Sequence, residues 1–231
     1  MYDHARFVET LSGFARTLVG PYDVDRVLGE LTEHVTAVLG LVGSGVTIVR
    51  DGRPRLASAV DPAAVDLEQT QQDHQRGPCM DAIRSGEVVV VDLQQQRERW
   101  PEYVDVAAEH AVHSVAVIPL TLASETIGAL NLYAGHRDWS AEDLLAARVL
   151  ADMATGYLVN ASKLDQQRQL NEQLQSALER RFVIEQAKGI TANAHGMDVE
   201  AAFDAIRRHA RNHNASIHIV AEAIVHAGLR V

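Results

Sequence analysis

The chain has 231 residues, 47% hydrophobic and 23% charged, with a formal net charge of −10 at pH 7. That length suits one large domain or a domain with a smaller module, and the composition excludes wholesale disorder. The acidic balance repels nucleic acid, so any such binding has to come from a local basic face.

Apolar residues recur at helical spacing from Arg6 to Leu18 and from Val24 to Leu39, with Pro21 just ahead of the second run. Gly40, Gly43 and Gly45 break the pattern. Val46 to Val49 reads as a strand, Asp51-Gly52 as a tight turn, and Leu56 to Val60 as the hairpin partner. Asp61 before Pro62 is a helix start, a capping acid followed by proline at the first helical position. A Gln-rich stretch, expected to be exposed, runs to Gly77. Pro78 to Arg84 is a short helix ended at Ser85-Gly86, and Val88 to Val91 is expected to be a buried strand.

A helix is expected around Pro101 to His110. Strands Val112 to Leu120 and Thr126 to Tyr133 follow, with a turn at Ala123-Ser124-Glu125 between them. Ser140, three residues before Asp143, opens a long helix. Paired strands without regular strand–helix alternation predict an α+β domain around a mostly antiparallel sheet over residues 1–160.

After Asn160 the character changes. Residues 163–181 are rich in Gln, Glu, Lys and Arg, with Leu164, Leu170, Leu174 and Leu178 at helical intervals. They read as a continuation of the long helix or a short coiled-coil connector, its seam interrupted by Gln167 and Asn171. Three helical pieces follow: through Ile184, Ala187 and Ile190; from Asp198 through Phe203, Ile206 and Ala210; and from Ser216 to Ala227. Residues 1–160 carry 12 Lys+Arg against 23 Asp+Glu, whereas residues 171–231 carry 7 of each. An acidic body and a locally neutral tail predict two modules, 1–160 and 161–231, with different partners.

Few features suggest reactive chemistry. Cys79 is the only cysteine, so no internal disulfide forms and a reducing compartment, the cytoplasm, is expected. The thiol follows Pro78 at a helix start, where the helix dipole favours thiolate, making Cys79 a candidate sensor; the competing reading is a small buried apolar residue. His110 with His113, and His209 with His213, have spacings a metal could use, but neither pair has a third ligand at motif spacing, so no metal is expected. The run Gly40 to Gly45 lies between helix and strand, the reverse of a dinucleotide loop. No nucleophile motif or acid–base pair stands out, and catalysis is not expected. The longest apolar stretch, Val115 to Ala123, is too short to span a bilayer, and the first residues lack the pattern of a signal peptide.

Arg207, Arg208 and Arg211 fall on one helix, Arg207 and Arg211 four apart, and Arg181 and Lys188 are seven apart on the preceding one. Guanidinium groups fork and stack on phosphates and unpaired bases. The plain alternative is a solvated face with local salt bridges such as Asp204 to Arg208. Ala187, Ala201 and Ala202 read as close-packing residues, and Phe203, Ile206, Val220 and Ile224 as core.

The C-terminal pattern resembles the ANTAR module, a three-helix RNA-binding domain of bacterial antitermination regulators. It is carried by Ala177-Leu178, Arg181, Ile184-Glu185-Gln186-Ala187-Lys188-Gly189-Ile190, Ala201-Ala202-Phe203, Arg207, Ala210, Asn214, Val220-Ala221 and Ile224-Val225. Thr191-Ala192 stand where that family usually has Leu-Met. The first 160 residues are similar to a GAF domain, of the kind actinobacteria join to ANTAR, through Gly77-Pro78-Cys79, the run Ser114 to Leu120 and the run Ile127 to Leu132.

The resemblance implies a signal-responsive transcription antiterminator. Its GAF domain would sense a small molecule, and Arg181, Lys188, Arg207, Arg208 and Arg211 would contact tandem RNA hairpin loops as a homodimer. It names no cofactor. A single cysteine argues against the reductase chemistry of some GAF proteins. The alternative is a ligand- or redox-responsive regulator that binds DNA through its last two helices.

Overall fold

The computed structural model describes residues 2–17 and 22–231. Leu18 and Pro21, invoked above around the first two helices, lie outside the described residues. Two compact units divide the chain, Met1–Ser162 and Lys163–Val231.

The first unit begins with α1 (His4–Thr17), α2 (Val24–Leu39), β1 (Gly43–Arg50) and β2 (Arg53–Ala59). It continues with α3 (Pro62–His74), α4 (Pro78–Ser85), β3 (Val89–Asp92), α5 (Pro101–Glu109), β4 (Ser114–Leu122) and β5 (Glu125–Ala134). One helix, α6 (Ala141–His195), starts in the first unit and ends in the second, which α7 (Val199–Asn212) and α8 (Ile217–Ala227) complete.

Local chemistry sets the element ends. Asp23 caps α2 by accepting the Arg26 N–H at 2.8 Å, and Gly40 ends it in the left-handed region at φ 61°. Asp61 accepts the Ala63 N–H at 2.9 Å to start α3. The five strands described form one antiparallel sheet in the order β2-β1-β5-β4-β3.

Strand alternation divides the core in two. Val46, Ile48, Ile118, Leu120, Leu130 and Leu132 face α1, α2 and the first turns of α6, where Leu150, Ala154 and Tyr157 pack. The Tyr157 hydroxyl donates to the Phe14 carbonyl and ties α6 to α1. Val115, Val117, Ala129 and Tyr133 form the other core with Leu67 of α3, Cys79 of α4 and Tyr103 of α5. Each fully buried large side chain stabilises the unit by ~1.5–3 kcal/mol relative to exposure.

Four details differ from the sequence reading. β1 starts at Gly43, three residues early, because Gly43 and Gly45 pair with Tyr133 and Asn131 of β5. The Gln-rich stretch is helical to His74 and amphipathic, with Leu67, Glu68 and Gln71 buried on one face. The third strand is only half-buried, with Val90 exposed, because it is an edge strand paired with β4 alone. Finally, the helical piece through Ile184 and Ile190 is not separate but the last part of α6.

In the second unit Ala187, Ile206, Ala210, Val220, Ala221 and Ile224 make the core. Alanines at the contacts let the helix backbones approach closely. Asp198 caps α7 through the Ala201 N–H at 2.7 Å, and Ser216 caps α8 through the Ile219 N–H at 3.2 Å. Thr191, at the position departing from the usual module pattern, is buried. No helix among the described residues is long and apolar enough to cross a membrane.

Candidate functional site

Helix geometry distributes the five basic residues singled out above. On α7, Arg207 and Arg211 lie about 40° apart around the axis and Arg208 about 60° beyond Arg211, so the three span about 100° of one side of the helix. All three are exposed. The Arg207 guanidinium carbon stands 4.1 Å from the Phe203 ring centroid, a cation–π contact one turn back on the same helix. Its nearest acid is Asp204 at 3.9 Å, in place of the Asp204–Arg208 pair expected from sequence.

On α6, Arg181 is exposed and lines a groove of about 830 Å³ that Phe203 of α7 also lines. Lys188 is placed differently from the expectation of a free RNA contact. Its side chain is only 10% exposed, and its ammonium group lies 3.1 Å from the Glu185 carboxylate and 5.1 Å from the Phe203 centroid. A lysine directly after the alanine contact at Ala187 has its stem drawn into the helix packing, which leaves its charge partnered inside the module. Phe203, read from sequence as core only, is half-buried between these cations and open to the groove.

The second cluster, which the sequence reading missed, lies beneath α3, α4 and α5 of the first unit. The Glu68 carboxylate is buried and accepts hydrogen bonds from Thr47 Oγ1 and Tyr133 Oη, each at 2.8 Å. Gly45 makes room for it: a Cβ there would stand 2.9 Å from Glu68 Oε1. Asn131 Nδ2 reaches Thr47 at 3.5 Å. Burial pushes the Glu68 carboxyl up to about 7, against the opposing hydrogen bonds from Tyr133, Thr47 and Asn131. Burial, then the Glu68 charge, also raises the phenols of Tyr103 and Tyr133.

Gln71 connects this cluster to α4. Its Oε1 accepts the Cys79 N–H at 2.8 Å, supplying the cap that Gly77 cannot. Gly77 is obligatory there: its φ is 143°, and a Cβ would lie 2.4 Å from Gln71 Oε1. Three buried polar atoms of this interior, Tyr103 Oη, Gln71 Nε2 and Asn131 Oδ1, have no hydrogen-bond partner among the described residues. The spacing Leu67, Glu68, Gln71 was the available signal, hidden by the polarity of its neighbours.

Cys79 belongs to this interior. The thiol is buried, and desolvation followed by the charge of Glu68 raises its pKa well above the ordinary thiol value. The helix-dipole argument for a reactive thiolate therefore loses to burial, and the packed apolar reading is the one the structure supports.

The histidine pairs are engaged elsewhere. His110 lies 2.8 Å from Asp66, His113 stacks on His136 at 4.1 Å, and His209 stacks on His213 at 4.1 Å. Among the described residues no group of three or more His, Cys, Asp or Glu side chains is arranged to hold a metal ion.

A helix-covered antiparallel sheet enclosing a polar cluster, followed by a small three-helix module with exposed arginines, is the architecture of a two-module regulator. The chain belongs to the GAF domain family, whose model matches residues 22–157, and it carries an ANTAR domain over residues 172–225. These are sensory and regulatory domains, and together they compose a signal-responsive regulator.

Solved structures agree on the fold of the first unit. The GAF domain of a Coxiella burnetii phosphoenolpyruvate-protein phosphotransferase aligns with a TM-score of 0.56 at 13% identity, covering 70% of this chain and 98% of that one. The A. aeolicus Nlh2 GAF domain in an inactive state aligns at 0.53 and 13%, covering 67% and 96%. The free methionine-R-sulfoxide reductase of Neisseria meningitidis, in complex with its substrate, aligns at 0.53 and 19%, covering 68% and 91%. No curated protein matches the chain.

Proposed function

We propose that this protein is a cytoplasmic, signal-responsive antiterminator in which residues 1–160 sense a small molecule and residues 161–231 bind tandem hairpin loops in nascent RNA. The observation that carries the reading is the ANTAR domain with Arg181, Arg207, Arg208 and Arg211 exposed and Arg207 set against Phe203. Arginines suit phosphate and unstacked bases, and A-form stems offer little sequence to read, so specificity belongs to the loops. Lys188 supports the site from within by holding Glu185 and Phe203.

Two copies act together. Leu170, Leu174 and Leu178 of α6 are exposed at four-residue steps, a seam that a second α6 covers. The signal enters at the Glu68 cluster, where unpartnered polar atoms and a carboxyl poised near neutrality respond to a bound group. It passes along α6, whose register against its partner alters the spacing of the two modules.

The test is a salt-controlled titration of the full chain against a tandem-hairpin RNA, the same RNA with scrambled loops, and a duplex DNA. Preference for intact loops supports the reading. Equal binding to both RNAs, or preference for the duplex, overturns it and favours the DNA-binding alternative.

A further inference from the structure

We propose that the groove along the Gln169–Glu185 face of α6 is a nucleobase-binding site, and that Phe203 holds the Arg207 guanidinium as the surface on which one unstacked RNA base rests. This rests on the RNA-binding reading above and adds to it the residues that set loop specificity.

Three observations converge on the groove. Its volume of about 830 Å³ falls within the ~300–1,000 Å³ of sites that enclose small ligands. Phe203 is its one lining residue from α7, and Arg207, just outside the lining, lies against that ring at 4.1 Å while keeping its side chain 50% exposed. A guanidinium held against an aromatic ring has given up one face and offers the other, and unstacked RNA bases stack on such planes. Along the wall stand Gln173, Ser176, Arg180 and Arg181, which together offer donors and acceptors to a base edge.

Charge decides what enters. Glu172 and Glu185 in the lining balance Arg180 and Arg181, and Glu185 is itself paired with Lys188, so a phosphate finds no net positive charge there. A neutral base needs no such charge, and a carboxylate accepts hydrogen bonds from exocyclic amino groups. The phosphates are left to the charges of Arg207 and Arg211, neighbours along α7 outside the lining. The groove therefore takes the base, and the arginines outside it take the backbone.

Phe203 acts here as a positioning residue, and Arg207 touches the RNA through its plane as well as its charge. Replacing Arg207 with lysine keeps the charge and removes the plane without disturbing the module's core. The experiment compares wild type, Arg207→Lys and Phe203→Leu, each as the full chain, for affinity to the hairpin RNA and to its scrambled-loop control over a range of salt.

For Arg207→Lys we expect an about tenfold fall in affinity for intact loops, since one base stack is lost. Affinity for scrambled loops and the salt slope should stay unchanged, since the phosphate contacts remain. Phe203→Leu should reproduce that pattern, and Phe203→Trp should restore it. A loop-selective wild type whose selectivity survives Arg207→Lys overturns the inference while leaving the RNA reading intact. So does an Arg207→Lys protein whose altered binding follows a change in sedimentation, because the groove would then seat a second copy of the chain. A wild type indifferent to its loops fails the RNA reading itself.

Discussion

Glu68 and Lys188 are both nearly buried, yet the two halves of the chain treat their charges differently. Glu68 is enclosed by hydroxyls and an amide, with Tyr133, Thr47 and Asn131 around it and no ion pair recorded among the described residues. Lys188 is held by a carboxylate and an aromatic ring. A buried charge with a counter-ion is a structural fixture, whereas one surrounded by neutral dipoles becomes sensitive to proton and ligand. The first unit can accommodate such a cluster because its two apolar cores flank a five-stranded sheet. The second has one small core and keeps most of its polar chemistry outside.

The most damaging test of this contrast is Ile206→Ala. Ile206 is fully buried in the smaller core, and its truncation should cost about 4 kcal/mol. The C-terminal unfolding transition should move well down and RNA binding should disappear on warming, while the pH response of the first unit persists. Calorimetry with a parallel binding assay reads both. Were both units to unfold together, the independence of the two cores would be refuted.

Next is Glu68→Gln. The folded carboxyl holds its proton to about 7, whereas the unfolded one releases it near its ordinary 4.5. The stability from this group is therefore fully present below the unfolded value and is lost as pH rises through the folded one, by about 3 kcal/mol in all. Urea unfolding at about pH 5 and about pH 8 should show that loss in the wild type and much less of it in Glu68→Gln. Identical pH profiles would mean that the carboxyl is solvated.

A smaller effect is expected on the module's surface. Arg211→Ala should weaken hairpin binding by about threefold to tenfold and reduce the salt slope by about 1, as for one lost phosphate contact. Intact and scrambled loops should be affected equally, unlike the lysine variant at Arg207. Smallest of all is Cys79→Ser, which should cost about 1 kcal/mol in the buried site and leave RNA binding within about twofold. The native thiol should resist a disulfide reagent until urea exposes it. Rapid labelling of the folded protein would reinstate Cys79 as a sensor.

Much of this organisation is legible in the sequence because it depends on local rules. The capping acids Asp61 and Asp198, the glycine stop at Gly40, the strand runs of β4 and β5 and the helical spacing of α2 each act within a few residues. The change of composition after Asn160 likewise marks the second module. The arginines of α7 are visible as a group because helix spacing alone makes neighbours of Arg207 and Arg211. The misses share one cause: Gln71, Glu68 and Val90 were assigned by polarity or apolarity, and their burial depends on elements far away in the chain.

The sequence by itself therefore determined the two modules, their helices and strands, and the family to which the first belongs, since these follow from periodicity, caps and ordered motifs. The tertiary structure alone decided which polar groups went inside. Glu68 is buried because β1 and β5 place Thr47 and Tyr133 beneath α3, with Gly45 leaving the space. Lys188 meets the Phe203 ring because α7 brings Phe203 against α6, whereas its pairing with Glu185 and the Arg207–Phe203 contact are one-turn neighbours within their own helices. Desolvation depends on what long-range packing places over a side chain, and no local pattern encodes that neighbour.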